Sequence, residues 1–280
     1  MLELTDIPSL RSWRADQRAA GRRVGLVPTM GYLHEGHLSL VDEARRRADV
    51  VVLSVFVNPL QFAPDEDLAR YPRDLPRDRN LAAARGVDLL FAPETDAMYP
   101  AGSEIRVVAG ETAERWEGSA RPGHFAGVLT VVAKLFHLVE PDVACLGQKD
   151  IQQVTLIRHL IRDLDWPIEL AAVPTVREAD GLAMSSRNVY LSPAEREKAL
   201  SLSRGLRAAA EAWQGGERSG SVLTRIVQAS LRGAAGVRAE YIAVVEPEHL
   251  RPVTVAPAGT ILVVAARVGS TRLIDNVILA

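Results

Sequence analysis

One cysteine, Cys145, is the whole thiol complement of this sequence, so an internal disulfide is excluded. It sits in the apolar run Val143-Ala144-Cys145-Leu146, where a buried, inert thiol is expected rather than a nucleophile. No stretch reaches the ~20 apolar residues of a membrane span. The opening residues, MLELTDIPSLRSW, lack the basic-then-apolar order of a secretory signal. Nor is there a surplus of basic charge. The formal net charge is −2, which speaks against a nucleic-acid or anionic-membrane surface. Internal repeats and low-complexity tracts are missing too. What these absences leave is a cytoplasmic, soluble protein. Its 280 residues, 48% of them hydrophobic, suffice for one large domain and a smaller one.

Present instead is an alternation of short β-branched runs with helical patterns. Strands are expected at Val24–Val27, Val50–Val57, Val87–Phe91, Val143–Leu146 and Ile168–Pro174, and helices at His37–Ala48, Asp74–Arg85, Phe125–Val139 and Ile151–Leu164. The run Val50–Val57 is nearly all apolar, as in a strand buried on both faces of a parallel sheet. The rhythm predicts an α/β, doubly wound parallel sheet, with ligands beyond the carboxyl ends of its strands. After Pro174 the texture changes. A polar, loop-like stretch, Val176–Asn188, precedes a helix over Pro193–Trp213, and Gln214–Ser221 is the most linker-like segment in the chain. Strands follow at Tyr241–Val245, Thr260–Val268 and Thr271–Leu279. Residues 1–175 are therefore expected to form one domain and 176–280 a smaller α+β domain.

Four clusters carry chemistry. In Val27-Pro-Thr-Met-Gly-Tyr-Leu-His-Glu-Gly-His37 the histidines, His34 and His37, are three apart. A zinc protease needs them four apart on one helix face, and no other ligand set is evident. A strand, a turn through Gly31 and a helix entered through Gly36 suit a phosphate group instead. The imidazoles would meet charge building on a triphosphate. Asn58-Pro-Leu-Gln61 follows the apolar strand and can bind hydroxyls or a carboxylate, or form a plain Asn-Pro turn. Gly147-Gln148-Lys149-Asp150, followed by Gln152-Gln153, lies between a strand and a helix. There Lys149 offers a point charge for phosphate, and Asp150 can take a ribose hydroxyl or cap the helix. Met184-Ser185-Ser186-Arg187 places two hydroxyls and a guanidinium on a loop suited to phosphates, the alternative being a solvated linker.

These residues resemble those of the pantoate–β-alanine ligase family, within the nucleotidyltransferase superfamily. The likeness runs over essentially the whole chain. It rests on Pro28–His37, Phe56–Phe62, Tyr71–Arg73, Arg121–Val132, Gly147–Gln153 and Asp180–Asn188, in that order. The resemblance implies a Rossmann-like fold, a homodimer, and condensation of pantoate with β-alanine using ATP and Mg2+, through a non-covalent pantoyl adenylate. It implies an ATP site of Met30, Gly31, Tyr32, Leu33, His34, Glu35, Gly36 and His37. Gly147, Gln148, Lys149, Asp150, Val176, Met184, Ser185, Ser186 and Arg187 would also serve ATP. His37, His34 and Lys149 would be catalytic. Gln61, Gln153 and Asn58 would bind pantoate, with Gln61 also near β-alanine, and Arg121 and His124 would lie near the phosphate side. The metal ligands stay unassigned. Ile151 and Gln148 depart from the usual aromatic residue and glutamate of the family, and neither change touches the chemistry. A different nucleotidyltransferase is disfavoured by the substrate-side motifs Phe56–Phe62 and Gln153. A nucleotide-sensing module that does no chemistry would be expected to lose a histidine or Lys149.

Overall fold

The computed structural model describes residues 1–280. From the amino end run β1 (Leu2–Leu4), α1 (Ile7–Ala19), β2 (Val24–Thr29), α2 (Glu35–Arg47) and β3 (Val50–Val55). Next come α3 (Leu75–Ala84), β4 (Leu89–Phe91) and the short helices α4 (Thr95–Met98) and α5 (Glu117–Ala120). They are followed by α6 (His124–Val139), β5 (Val143–Gly147), α7 (Ile151–Asp163) and β6 (Glu169–Val173). The chain closes with α8 (Pro193–Gln214), α9 (Gly220–Arg232), β7 (Val237–Val245), β8 (Ile261–Val268) and β9 (Thr271–Ile278).

The first six strands form a parallel sheet in the order β1-β4-β3-β2-β5-β6. The winding reverses between β2 and β5, which pair through Gly25 with Val143 and Leu26 with Ala144. That is the switch point of a doubly wound sheet, where ligands meet the carboxyl ends of the strands. Residues Val50 to Ser54 of β3 are buried without alternation, because helices cover both faces of a parallel sheet. Val27, Val41, Leu53, Leu90 and Cys145 pack in its core. No helix is long and apolar enough to cross a membrane.

The chain divides into two compact units. One holds residues 1–110, 121–147 and 156–174, and the other holds 111–120, 148–155 and 175–280. Residues 111–120 and 148–155 thus group with the second unit although they precede residue 175. Side chains explain it. Gln152 accepts from the Glu117 amide at 3.0 Å, while Trp116 Nε1 donates to the Leu250 carbonyl at 2.8 Å. Glu117 is also ion-paired to Arg272 at 2.6 Å.

The second unit pairs β7-β8-β9 as an antiparallel sheet against a core that includes Leu202, Leu206, Leu223, Val227, Leu262 and Val264. Helix α8 begins with a full capping box, Ser192 with Glu195. The α/β and α+β expectations agree with this architecture, but strand β1, the short helices α4 and α5 and two long helices, α1 and α9, were unforeseen. Helix α1 buries only Leu10 and Gln17, too thin a stripe to read as periodicity. Helix α9 buries Leu223, Val227 and Leu231 at four-residue spacing, but its Ser219-Gly220 start resembles a linker. Only residues 215–219 of that stretch lie outside the helices. Elsewhere the ends shift by a few residues. Helix α2 begins at Glu35, not His37, and β3 stops at Val55, since Asn58 and Pro59 begin a one-turn 3-10 helix.

Candidate functional site

At the carboxyl end of β2, the chain turns through Gly31 (φ +79) and Tyr32 (φ +51) before entering α2. A side chain at Gly31 would place its Cβ 2.8 Å from Val55 Cγ1 and 2.9 Å from Asp78 Oδ2. The Gly31 amide donates to Thr29 Oγ1 at 3.1 Å, and that hydroxyl donates to the Ser54 carbonyl at 2.7 Å. Leu33 goes wholly inward, with 0% exposure. His34 is the N-cap of α2, with its side chain making no capping hydrogen bond to the helix. The His34 and His37 rings stack with centroids 4.0 Å apart and planes inclined by 30°. One helical turn between Ncap and N3 sets that pairing. The Glu35 carboxylate instead points to Arg85, at 2.9 Å.

Asp78 is the residue that sequence reasoning missed. It is 1% exposed on the first turn of α3. Its Oδ2 accepts from the Tyr32 amide and its Oδ1 from the Leu33 amide, both at 2.7 Å. Burial pushes its carboxyl above the ordinary aspartate range, against these bonds, which act to lower it. The signal available was Asp78 four residues after the Asp74 N-cap, which is compatible with any solvated helix.

The 3-10 turn Pro59–Gln61 presents the second cluster. Helix α6 approaches it closely at Gly127, where a Cβ would stand 2.2 Å from the Leu60 carbonyl oxygen. Asn58, 1% exposed, donates through Nδ2 to the Gly127 carbonyl at 3.1 Å and to Gln61 Oε1 at 3.0 Å. Its Oδ1 accepts from the Leu60 amide at 3.3 Å and from Tyr99 Oη at 2.9 Å. Because a carbonyl only accepts, Gly127 fixes the Asn58 amide, and Asn58 in turn fixes the Gln61 amide, whose Nε2 donates one hydrogen to Met30 Sδ at 3.2 Å. Asn58 thus uses its hydrogen-bonding capacity inside the protein, and Gln61 keeps a donor to offer.

Arg121 and His124 also converge on the Gln61 carbonyl. Arg121 Nη2 donates to the Gln61 carbonyl at 3.2 Å, and its guanidinium grips Glu66 at 2.6 and 2.8 Å. Arginine only donates, so His124 Nε2 accepts from Arg121 Nη1 at 3.1 Å. The proton then lies on Nδ1, which donates to the Gln61 carbonyl at 2.9 Å. For Glu66, burial works to raise the carboxyl, but the Arg121 hydrogen bond and charge bring it below the ordinary range.

In the second unit, Gln148–Asp150 form a 3-10 turn running into α7. Asn276 of β9 donates from Nδ2 to the Gln148 and Lys149 carbonyls, each at 2.9 Å. Lys149 Nζ lies 3.5 Å from Asp150 Oδ2. Of the two following glutamines, Gln152 is buried and donates to the Thr112 and Arg115 carbonyls at 2.7 and 2.9 Å. Gln153 is half-buried. Ile151 is a core residue at 9% exposure.

Residues 176–184 make a tight hairpin, in which Met184 N donates to the Val176 carbonyl at 3.0 Å. Ser185 Oγ then accepts from the Arg187 amide at 3.2 Å and starts the 3-10 turn Ser186–Tyr190. Arg177 anchors this hairpin to Asp275 at 2.7 and 3.0 Å. The polar stretch read as a loop is therefore an ordered, hydrogen-bonded turn.

Known proteins resemble this chain in sequence and fold over nearly their whole length. The family model described as pantoate-beta-alanine ligase matches residues 3–278. The pantothenate synthetase of Moorella thermoacetica is 51% identical over 276 residues, 99% of this chain and 98% of that protein. Pantothenate synthetase 1 of Bradyrhizobium diazoefficiens is 51% identical over 282 residues, 100% and 99% of the two chains. The crystal structure of the Thermus thermophilus pantothenate synthetase superposes with a TM-score of 0.94 at 52% identity, covering 100% of this chain and 99% of that one. The Francisella tularensis pantoate-beta-alanine ligase, solved with beta-gamma ATP and beta-alanine, gives a TM-score of 0.82 at 34% identity and covers 100% and 98%.

Proposed function

Because the chain belongs to the pantoate–beta-alanine ligase family, an enzyme family of pantothenate biosynthesis, we propose that it joins pantoate to β-alanine in two chemical steps. In the first, a pantoate carboxylate oxygen attacks the α-phosphorus of ATP and pyrophosphate leaves, giving pantoyl adenylate. In the second, the free amine of β-alanine attacks the acyl carbon, and AMP leaves with its electron pair. A carboxylate is a poor electrophile, and adenylation supplies the leaving group it lacks.

The observation that carries this reading is the His34–His37 pair, with ring centroids 4.0 Å apart, at the start of α2 and the carboxyl end of β2. Preorganised donors facing developing phosphate charge are the usual source of catalysis in such displacements. His37 is the proton donor to phosphate, and His34 stands beside it. In the second unit, Lys149 serves phosphate as a point charge and Asp150 the ribose. Val176 meets adenine through its backbone, and Met184, Ser185, Ser186 and Arg187 serve the phosphates. Gln61, through Nε2, and Gln153 bind pantoate oxygens, and Gln61 also lies near β-alanine. Leu33 belongs to the nucleotide turn and Asn58 to the pantoate side, and both are buried.

No group of three or more His, Cys, Asp or Glu side chains forms a ready metal cage. Magnesium commonly takes its ligands from phosphate oxygens and water with one or two carboxylates, so Mg2+ arrives with ATP and neutralises its charge. The family resemblance supports a cytoplasmic homodimer, which light scattering of the purified protein would check. The scheme itself is tested by isotope exchange. Pantoate with Mg-ATP should drive labelled pyrophosphate into ATP without β-alanine, and no label should attach to the protein. Strict dependence of exchange on β-alanine would overturn the two-step order.

A further inference from the structure

A carboxylate buried at a site for a polyanion raises a question, since its charge opposes the ligand. Asp78 is such a group, 1% exposed, and it touches the turn only through backbone. Its two oxygens take the consecutive amides of Tyr32 and Leu33, each at 2.7 Å. Neighbouring Arg77 takes the opposite pole of the same residue, donating from Nη1 to the Leu33 carbonyl at 2.9 Å. The Arg77 guanidinium also lies over the Tyr32 ring, 5.3 Å from its centroid.

The conformation held this way is one the chain would not keep alone. Tyr32 has φ +51, in the left-handed region that costs a side-chain-bearing residue about 1 kcal/mol or more. Gly31, with φ +79, precedes it, so two successive residues need support. After them come Leu33 and then His34, the N-cap of α2. Rotating the turn would therefore rotate both imidazoles.

Resting on the reading above that this turn serves ATP, we propose that Asp78 and Arg77 are positioning residues. They clamp both poles of Leu33 and so set where His34 and His37 meet the triphosphate, without touching it. Two amides are committed to Asp78 and are closed to phosphate. Recognition there falls to the imidazoles and the first turn of α2. The carboxylate's charge is answered by those amides, so it works as a structural anion.

The test measures ATP and pantoate separately on the full-length protein. Wild type is first titrated with a non-hydrolysable ATP analogue and Mg2+ by calorimetry. No binding there would sink the ATP reading itself, whatever the variants do. Given binding, Asp78→Asn replaces one acceptor by a donor facing an amide, and should raise the ATP KM about tenfold. The pantoate dissociation constant should stay within about twofold of wild type, the scatter expected for sites without shared partners. Arg77→Ala, a change at a half-exposed side chain that leaves the fold intact, should raise the ATP KM about threefold with the same selectivity. Arg77→Lys should recover part of it through the Leu33 carbonyl. Unchanged ATP constants in both variants, or ATP and pantoate affinities falling together, would overturn the clamp.

Discussion

Two strand-end turns, one after β2 and one after β5, are built on opposite polarity. The Gly31–Leu33 turn is held by its N–H groups, which Asp78 accepts from 45 and 46 residues away. The Gln148–Lys149 turn is held by its carbonyls, to which Asn276 donates from 127 and 128 residues away. A buried carboxylate supports the first and a neutral amide the second. Tying up amides removes backbone donors from the first turn, beside which the His34 and His37 rings stand. Tying up carbonyls occupies backbone acceptors of the second turn, which carries the charge of Lys149. Either way the turn is held by a partner far off in sequence.

The largest expected effect falls on the second turn's charge. Lys149→Ala should lower kcat about 100- to 1000-fold, the usual worth of one preorganised contact to developing charge. Thermal unfolding should match wild type, since Lys149 makes only a 3.5 Å pair with Asp150. Near-normal turnover would make Lys149 an ordinary surface lysine.

On the first turn, His37→Ala should slow single-turnover formation of pantoyl adenylate about 100-fold while ATP affinity changes far less. If affinity collapses and the rate at saturating ATP holds, His37 binds rather than catalyses, and the two turns are more alike than described.

Asn276→Ala strikes the support instead of the charge. Two half-buried carbonyls lose their donor, so stability should fall by about 1 kcal/mol, and the ATP KM should rise with it. A denaturant melt beside a KM measurement decides this. A stable variant with normal kinetics would mean the turn stands without β9.

The pantoate-side turn is sharpened by Asn58→Asp. An oxygen would then face the Gly127 carbonyl and Gln61 Oε1, now 3.1 and 3.0 Å from Nδ2, so the Gln61 amide should reverse. The pantoate KM should rise about tenfold, with ATP binding spared. Equal loss of both would point to a general packing defect.

The smallest effect concerns Cys145, at 0% exposure on β5, the strand that leads into the second turn. Burial pushes its thiol up to about 12, so the neutral form persists far above the usual cysteine range. Iodoacetamide at pH 8 should leave the folded enzyme unlabelled and fully active, and label it only in denaturant. Rapid labelling of the native protein would show that the sheet core opens.

Much of the site was legible because its residues are adjacent in the chain. His34 and His37 meet because three residues make one turn of α2. Gly147 to Asp150 are consecutive where a strand stops. The β3 strand announced itself through an unbroken apolar run. Helix α9, by contrast, hid behind a Ser-Gly start, and α1 behind a thin buried stripe. Asp78, Asn276 and Tyr99 carried no local signature, since an aspartate in a helix, an asparagine in a strand and a tyrosine in a loop are all commonplace.

By itself, then, the sequence determined the α/β alternation, the strand-end motifs and, through its resemblance, the family and its chemistry. These depend on hydrophobic period and on residue types at short spacing, which are local properties. Only the tertiary structure decided which buried polar groups serve the site from a distance. It committed Asn58 and Gln152 to partners within the protein, left Gln61 with a donor to offer, and put Asp78 against the amides of Tyr32 and Leu33. The reason is physical. A buried hydrogen-bonding group must find a partner, and which partner it finds is set by how elements pack, not by the order in which they follow one another along the chain.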